Sequence, residues 1–156
     1  MIRRANAADH AWMVDVGAEV YAPLGDYRAI LPDWVAHPGV YGFIAEDEGV
    51  PRGYILVGFY EPPDVAPGAH AADLLAIAVD PPAQRAGVGS RLLAYAIDLA
   101  SVTADHMKVV DIRLTVADSN LGARRFFERH GFEVIDAQHG AYDGGQTALR
   151  MRKRLG

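Results

Sequence analysis

Leu74-Leu75-Ala76-Ile77-Ala78-Val79-Asp80-Pro81-Pro82-Ala83-Gln84-Arg85-Ala86-Gly87-Val88-Gly89-Ser90-Arg91-Leu92-Leu93 is the stretch that decides how this chain folds. Its apolar run, closed by Asp80-Pro81-Pro82, has the length and ending of a buried strand, because proline neither donates to a ladder nor extends one. Residues 89–102 then carry Leu92, Leu93, Ala96, Ile97 and Ala100 on one face, the stripe of an amphipathic helix packed on a sheet. Between them lies a turn of small residues at a helix N-terminus, where several backbone N–H groups point at one spot. Such a turn is a natural phosphate cradle, and Arg85 adds a fixed charge beside it. The plainer reading is that Gly87 and Gly89 only permit a tight turn. The lysine of G-x-x-x-x-G-K-[ST] and the third glycine of G-x-G-x-x-G are both missing, which removes the nucleoside triphosphate and dinucleotide readings.

Upstream, residues 2–4 read as a short strand. Asn6 and Asp9 cap a helix start, and Trp12, Met13, Val16 and Val20 recur at helical spacing until about Tyr21. Residues 26–30 and 33–37 predict a second helix broken at Pro32. Residues 41–45 and 53–60 predict an antiparallel hairpin with a turn over 46–52, followed by a Pro-rich loop and a strand over 73–79. Downstream, 109–116 returns as a strand, so strand, helix and strand imply a parallel crossover. Residues 120–130 predict a helix with Ala123, Phe126, Phe127 and His130 on one face, and 132–138 and 147–152 two closing strands around a Gly-rich loop over 140–145.

Composition narrows the function classes. A chain of 156 residues, 51% hydrophobic and 22% charged, is expected to form a single domain over 1–156 with a substantial core. A formal charge of -5 gives no electrostatic footprint for nucleic acid or an anionic membrane surface. With no cysteine there is no disulfide, thiolate metal site or cysteine nucleophile. The six histidines show no paired metal spacing, so no metal is expected. Met1-Ile2-Arg3-Arg4 lacks the apolar stretch of a signal peptide, and no apolar run approaches a membrane span. The expected location is the cytoplasm.

Gln84-Arg85-Ala86-Gly87-Val88-Gly89 resembles the acetyl-CoA signature [QR]-x-x-G-x-[GA] of the GNAT superfamily of N-acetyltransferases. A second landmark of that family is matched, in the right order, by Asn120, Ala123, Phe126, Phe127, Gly131 and Phe132. The resemblance spans nearly the whole chain. It implies an α/β GNAT fold, a mixed sheet of about seven strands splayed at the CoA site and flanked by about four helices. By the same resemblance Ile77, Ala78 and Val79 would hold pantetheine and the acetyl carbonyl, and Gln84, Arg85, Ala86, Gly87, Val88, Gly89 and Ser90 the pyrophosphate. Asn120 and Phe127 would contact the cofactor arm, although Asn120 also reads as a helix cap and Phe127 as core.

The implied activity is transfer of acetyl from acetyl-CoA to a primary amine of a small molecule, by direct attack in a ternary complex. The alternatives are a protein N-terminal or lysine acetyltransferase and a non-catalytic acyl-CoA-binding module. A homodimer is left open. Asp73 stands where many relatives carry a Glu that acts through water. The family's usual general-acid tyrosine is Phe127 here, which cannot donate, so Tyr142 or His139 would have to substitute. Acceptor contacts are expected from Tyr27, Trp34 and Asp26, within the wider set Tyr21, Glu61, Asp64, Tyr142 and Asp143. That acidic and aromatic set suits a cationic amine.

Overall fold

The structure is a computed structural model describing residues 1–156. In chain order it contains β1 (Ile2–Arg4), α1 (His10–Val20), α2 (Tyr27–Ala36), β2 (Val40–Asp47), β3 (Val50–Tyr60) and β4 (His70–Val79). These are followed by α3 (Val88–Thr103), β5 (Val109–Ala117), α4 (Leu121–Arg129), β6 (Glu133–Asp136) and β7 (Ala148–Arg154). The strands form one mixed sheet in the order β1-β2-β3-β4-β5-β7-β6, antiparallel throughout except for the parallel pair β4–β5. This is the seven-stranded, four-helix α/β arrangement that the family resemblance implies. No helix is long and apolar enough to cross a membrane.

Two apolar layers sandwich the sheet. On one face, Val88, Leu92, Leu93, Ala96 and Ala100 of α3 pack with Phe43, Ile55, Val57, Leu74, Ile112 and Leu114. On the other, Met13, Val16 and Leu31 of α1 and α2 cover Ile44, Tyr54, Leu56, Ala76 and Ala78. Ala72 and Leu74 belong to the first layer but Ala76 and Ala78 to the second, although strict alternation would keep all four on one face. A bulge explains the exchange. Val57 pairs with Leu74 and Leu56 with Ala76, so Leu75 is the extra residue. Bulges flip the side-chain alternation and bend the strand.

The bend coincides with a parting of strands. β4 and β5 pair from His70↔Val109 to Leu74↔Leu114 and no further. β5 continues on its other side with β7 to Ala117↔Ala148, while β4 continues with β3 to Val79↔Gly53. Residues 75–79 therefore present one backbone edge to a V-shaped gap, the splay that the family resemblance implies.

Four local expectations need correction. Pro32 does not break α2, because the helix runs through it from Tyr27 to Ala36. The lost N–H costs one hydrogen bond, and burial of Leu31 with packing of Trp34 and Val35 on the α1 layer outweighs it. The β2–β3 turn shrinks from residues 46–52 to Glu48-Gly49, whose φ angles of 52° and 77° are those of a type I′ hairpin turn. β4 begins three residues earlier than expected, at His70, which the parallel partner Val109 secures. The closing strands also shift, to Glu133–Asp136 and Ala148–Arg154.

Ion pairs tie loops to this frame. Arg3 holds Asp9 at 2.8 Å and Glu46 at 2.9 Å, and its hydrogen bond keeps the Asp9 carboxyl below the ordinary carboxylate range. The hydrogen bond from Arg113 likewise lowers Asp64. A carboxyl whose value is lower folded than unfolded stabilises the protein above the unfolded value, and that stability is lost as pH falls through the folded value. Urea midpoints should therefore change little between pH 6 and 8 and fall as pH drops below about 4.

Candidate active site

The turn between β4 and α3 is built by local backbone geometry. Pro81–Ala83 form a single 3-10 turn, after which Arg85 (φ 71°) and Gly87 (φ 81°) both take the left-handed conformation. Around the Cβ position of Gly87 there is nothing within 4 Å. The amides of Val88, Gly89 and Ser90 precede the first intrahelical bond, from Arg91 N–H to Gly87 C=O at 3.1 Å. The Val88 side chain is buried in the core, while Gln84, Arg85, Ala86, Gly87 and Ser90 are exposed. Open space, free amides, the α3 dipole and one cation thus meet at one spot, which fits a diphosphate.

That spot adjoins the open edge of β4. Asp80 N–H donates to Arg52 C=O at 2.8 Å, so by antiparallel alternation Ala78 faces β3 with its backbone groups and Ile77 and Val79 turn theirs to the gap. Gln84 Nε2 donates to Val79 C=O at 3.2 Å. Both gap-facing groups of Ile77 are taken by one hydroxyl from the opposite layer. Ile77 N–H donates to Tyr21 Oη at 2.9 Å, and Tyr21 Oη donates to Ile77 C=O at 2.8 Å. Tyr21 is the residue that closes α1, its N–H bonded to Gly17 C=O at 2.9 Å. Gly17 lets α1 approach this closely, since a Cβ there would overlap the Tyr54 hydroxyl and a Leu31 methyl.

On the far side of the gap a buried arginine gathers the polar groups. Arg150 of β7 donates to Asp73 at 3.2 Å, to Thr115 Oγ1 at 2.9 Å and to Tyr60 Oη at 2.5 Å. Desolvation alone would lower the Arg150 pKa, but Asp73 and Tyr60 outweigh it and hold it above the usual value. Asp73 is therefore an ion-paired carboxylate at the crotch of the splay. It accepts from Arg150 through Oδ1.

The aromatic residues form a second group. The rings of Tyr21 and Tyr27 lie 5.0 Å apart, and Trp34 stands edge-on to Tyr27 at 6.2 Å. Tyr142, in the β6–β7 loop, is close enough to Tyr27 and Arg150 to be coupled to both, and burial pushes its hydroxyl up to about 12. Burial also raises Tyr27, and raises Tyr21 well beyond the ordinary tyrosine range. The β6–β7 loop is fastened over the α1–α2 loop by Gly144 N–H to Leu24 C=O at 3.0 Å and Gln146 Nε2 to Pro23 C=O at 2.9 Å. Asp26 is exposed, on an outer groove with Asp15 and Glu19.

Asp73, Tyr27, Tyr142 and the 77–79 edge are thus gathered around one gap, with the 84–90 turn at its end. Phe127 is buried among Phe126 and Phe132, and Asn120 Oδ1 accepts from Ala123 N–H at 3.1 Å as a helix cap. His139 is tied to Asp136 at 3.3 Å. Sequence reasoning missed Arg150, Tyr60 and Thr115, and it assigned Tyr21 only to the acceptor surroundings. The sole signal for Arg150 is its alternation with the buried Leu149 and Met151, the same pattern that a solvated strand face would give.

A family model for the Acetyltransferase (GNAT) family matches residues 8–132. Solved structures with the same fold include Arabidopsis thaliana NAA60 in complex with a bisubstrate analogue (TM-score 0.80, 12% identity, 99% of this chain and 97% of that one). They also include the ribosomal-protein-S18-alanine N-acetyltransferase of Escherichia coli (TM-score 0.69, 20% identity, 99% and 93%). A third is named provisionally as a phosphinothricin N-acetyltransferase (TM-score 0.76, 19% identity, 100% and 98%). A search of curated proteins gives no sequence match.

Proposed function

The chain belongs to the GNAT acetyltransferase family and is an acyl-CoA-dependent acyltransferase, and from that premise we propose that it acetylates a primary amine of a small molecule, using residues 1–156 as one catalytic domain. The observation that carries the proposal is the continuity of two features, the β4 edge freed by the splay and the free amides of α3 at the end of that edge. Bound acetyl-CoA supplies a thioester, at which the amine lone pair forms a C–N bond, the C–S bond breaks with its electron pair leaving on sulfur as CoA thiolate, and the proton lost by the nitrogen passes through solvent to that thiolate.

In this reading the amides from Gly87 to Ser90, with Gln84, Arg85 and Ala86, hold the pyrophosphate. Ile77, Ala78 and Val79 align the pantetheine arm, and the Ile77 amide polarises the acetyl carbonyl. Asn120 and Phe127 border the arm. On the acceptor side Asp73 draws in the ammonium by charge and relays its proton through water. Tyr142, held at about 12, stays protonated at neutral pH and serves as a hydrogen-bond donor near the leaving sulfur. A thiol near 8.5 is a tolerable leaving group without a strong acid, which fits the loss of the hydroxyl at Phe127.

The fastened loops support a small acceptor. With Gly144 and Gln146 bonded to the 23–24 segment, the β6–β7 loop is held against the α1–α2 loop, an arrangement that favours a short amine reaching past Tyr27 and Trp34, with Asp26 at the outer rim. Thiol release from acetyl-CoA across polyamines, aminoglycosides, amino acids and short peptides tests this directly. Release with small amines and none with peptides is expected, and release with peptides alone would transfer the assignment to protein substrates. Because Tyr142 stays protonated up to about 12, kcat/KM should rise with pH up to the acceptor amine's own pKa, about 10.4 for a lysine-like amine, and then level off. A falling limb below pH 10 would contradict the assignment of Tyr142.

A further inference from the structure

We infer that the Tyr21 hydroxyl is a second donor to the acetyl carbonyl, paired with the Ile77 amide. The inference rests on the proposed placement of acetyl-CoA along the 77–79 edge.

The argument begins with an unusual use of a side chain. Ile77 turns its N–H and C=O toward the gap, where no strand pairs with them. Such groups cost about 1–3 kcal/mol each if buried without a partner. Tyr21, 56 residues away in sequence, satisfies both with one oxygen, at 2.9 and 2.8 Å. It does so from the end of α1, held by the helix-terminal bond to Gly17 and by the Tyr27 ring at 5.0 Å. The hydroxyl therefore marks the place on the strand edge where an acceptor atom and a donor are both accommodated.

An oxygen that takes the Ile77 N–H frees the lone pair with which Tyr21 now accepts it. Rotation about Cζ–Oη then redirects the single hydroxyl proton from Ile77 C=O to that oxygen. The result is a cradle of one backbone and one side-chain donor. As the amine lone pair forms the C–N bond, the carbonyl π pair moves onto oxygen, where both donors hold it. The pair returns as the C–S bond breaks, CoA leaves as thiolate with the C–S electron pair, and the amine proton passes through water to that thiolate. Tyr21 gives up no proton at any step. This suits a phenol that burial keeps protonated well beyond the ordinary range.

The test is Tyr21→Phe, which keeps the ring and its packing on Tyr27. The carbonyl stretch of bound [1-13C]acetyl-CoA is measured by infrared difference spectroscopy, alongside kcat and the KM for acetyl-CoA. The carbonyl stretch should lie lower in the wild type than in the variant. The kcat should fall about 10²- to 10³-fold, as for removal of one oxyanion donor, with KM for acetyl-CoA not raised. An unshifted carbonyl, whatever happens to the rate, overturns the inference, because a packing role would leave the stretch alone. Loss of acetyl-CoA binding in the variant also overturns it, since Tyr21 would then be shaping the gap. Failure of the wild type to bind acetyl-CoA would instead sink the underlying placement.

Discussion

Gly87→Val is expected to weaken acetyl-CoA binding by about 10- to 100-fold while leaving the protein folded. Gly87 sits at φ 81°, where a β-branched residue is strained by roughly 1–2 kcal/mol or more. The same substitution fills the space in front of the free amides of Val88, Gly89 and Ser90, which is open around the glycine. If the chain relieves strain by leaving the left-handed region, those amides no longer converge; if it does not, the isopropyl group stands where, in the proposed placement, a phosphate oxygen approaches. Either way the cradle is lost, and each factor of ten corresponds to about 1.4 kcal/mol. Gly87→Ala should fall between the two, since it adds the Cβ without the branching. Calorimetric titration with acetyl-CoA checks the series, and an unchanged dissociation constant for the valine variant would mean that the turn does not hold the cofactor.

Arg113→Met is expected to lower the unfolding free energy by about 3 kcal/mol or more. Arg113 and Asp111 are neighbours on one face of β5 with side chains 5% and 3% exposed, joined at 3.0 Å. Desolvation by itself would lower the Arg113 pKa, but the hydrogen bonds to Asp111 and Asp64 outweigh it and hold it above the usual value. Removing one partner of a buried pair leaves an uncompensated charge, a change that costs about 3–5 kcal/mol. Arg152, 3.9 Å from Asp111, softens the loss and puts the expectation at the lower end. The double variant Asp111→Leu/Arg113→Met should recover much of the stability, because two apolar side chains leave no orphaned charge. Urea denaturation of the three proteins is the measurement. A single variant as stable as the wild type would show that Asp111 is solvated or that Arg152 replaces Arg113 completely. The same substitution releases Asp64, so the loop between β3 and β4 should exchange its amides faster.

The parts of the site that are local in sequence were legible. A strand, a pair of prolines, a glycine turn and the start of an apolar stripe occupy the twenty residues from Leu74 to Leu93, and each has its own steric or hydrogen-bonding cause. The splay was legible only through family resemblance. Its physical cause, the bulge at Leu75, lies in an unbroken aliphatic run where no alternation marks the exchange of faces. Long-range polar contacts left no trace at all. Tyr21 reaches Ile77 across 56 residues and Arg150 reaches Asp73 across 77, and neither partner is special in its own neighbourhood. Pro32 is the opposite error, a strong local rule overridden by the burial of Leu31 beside it.

The two sides of the gap divide the chemistry in a way that follows from the bulge. Before Leu75, β4 turns Asp73 toward Arg150 on the far side of the gap; after it, the alternation restarts and Ala76 and Ala78 lie flat beneath α1. Small side chains there let α1 come close enough for Tyr21 to reach the strand edge. One inserted residue therefore opens the sheet, frees the Ile77 and Val79 backbone groups and brings a hydroxyl to them.

The most direct test of the cofactor placement is an amide NMR titration of the protein with acetyl-CoA. The account predicts that the largest shifts and the strongest gain in exchange protection fall on Ile77, Val79 and the amides from Gly87 to Ser90. Saturable binding that moves other amides and leaves these unchanged, or no binding at all, would contradict it.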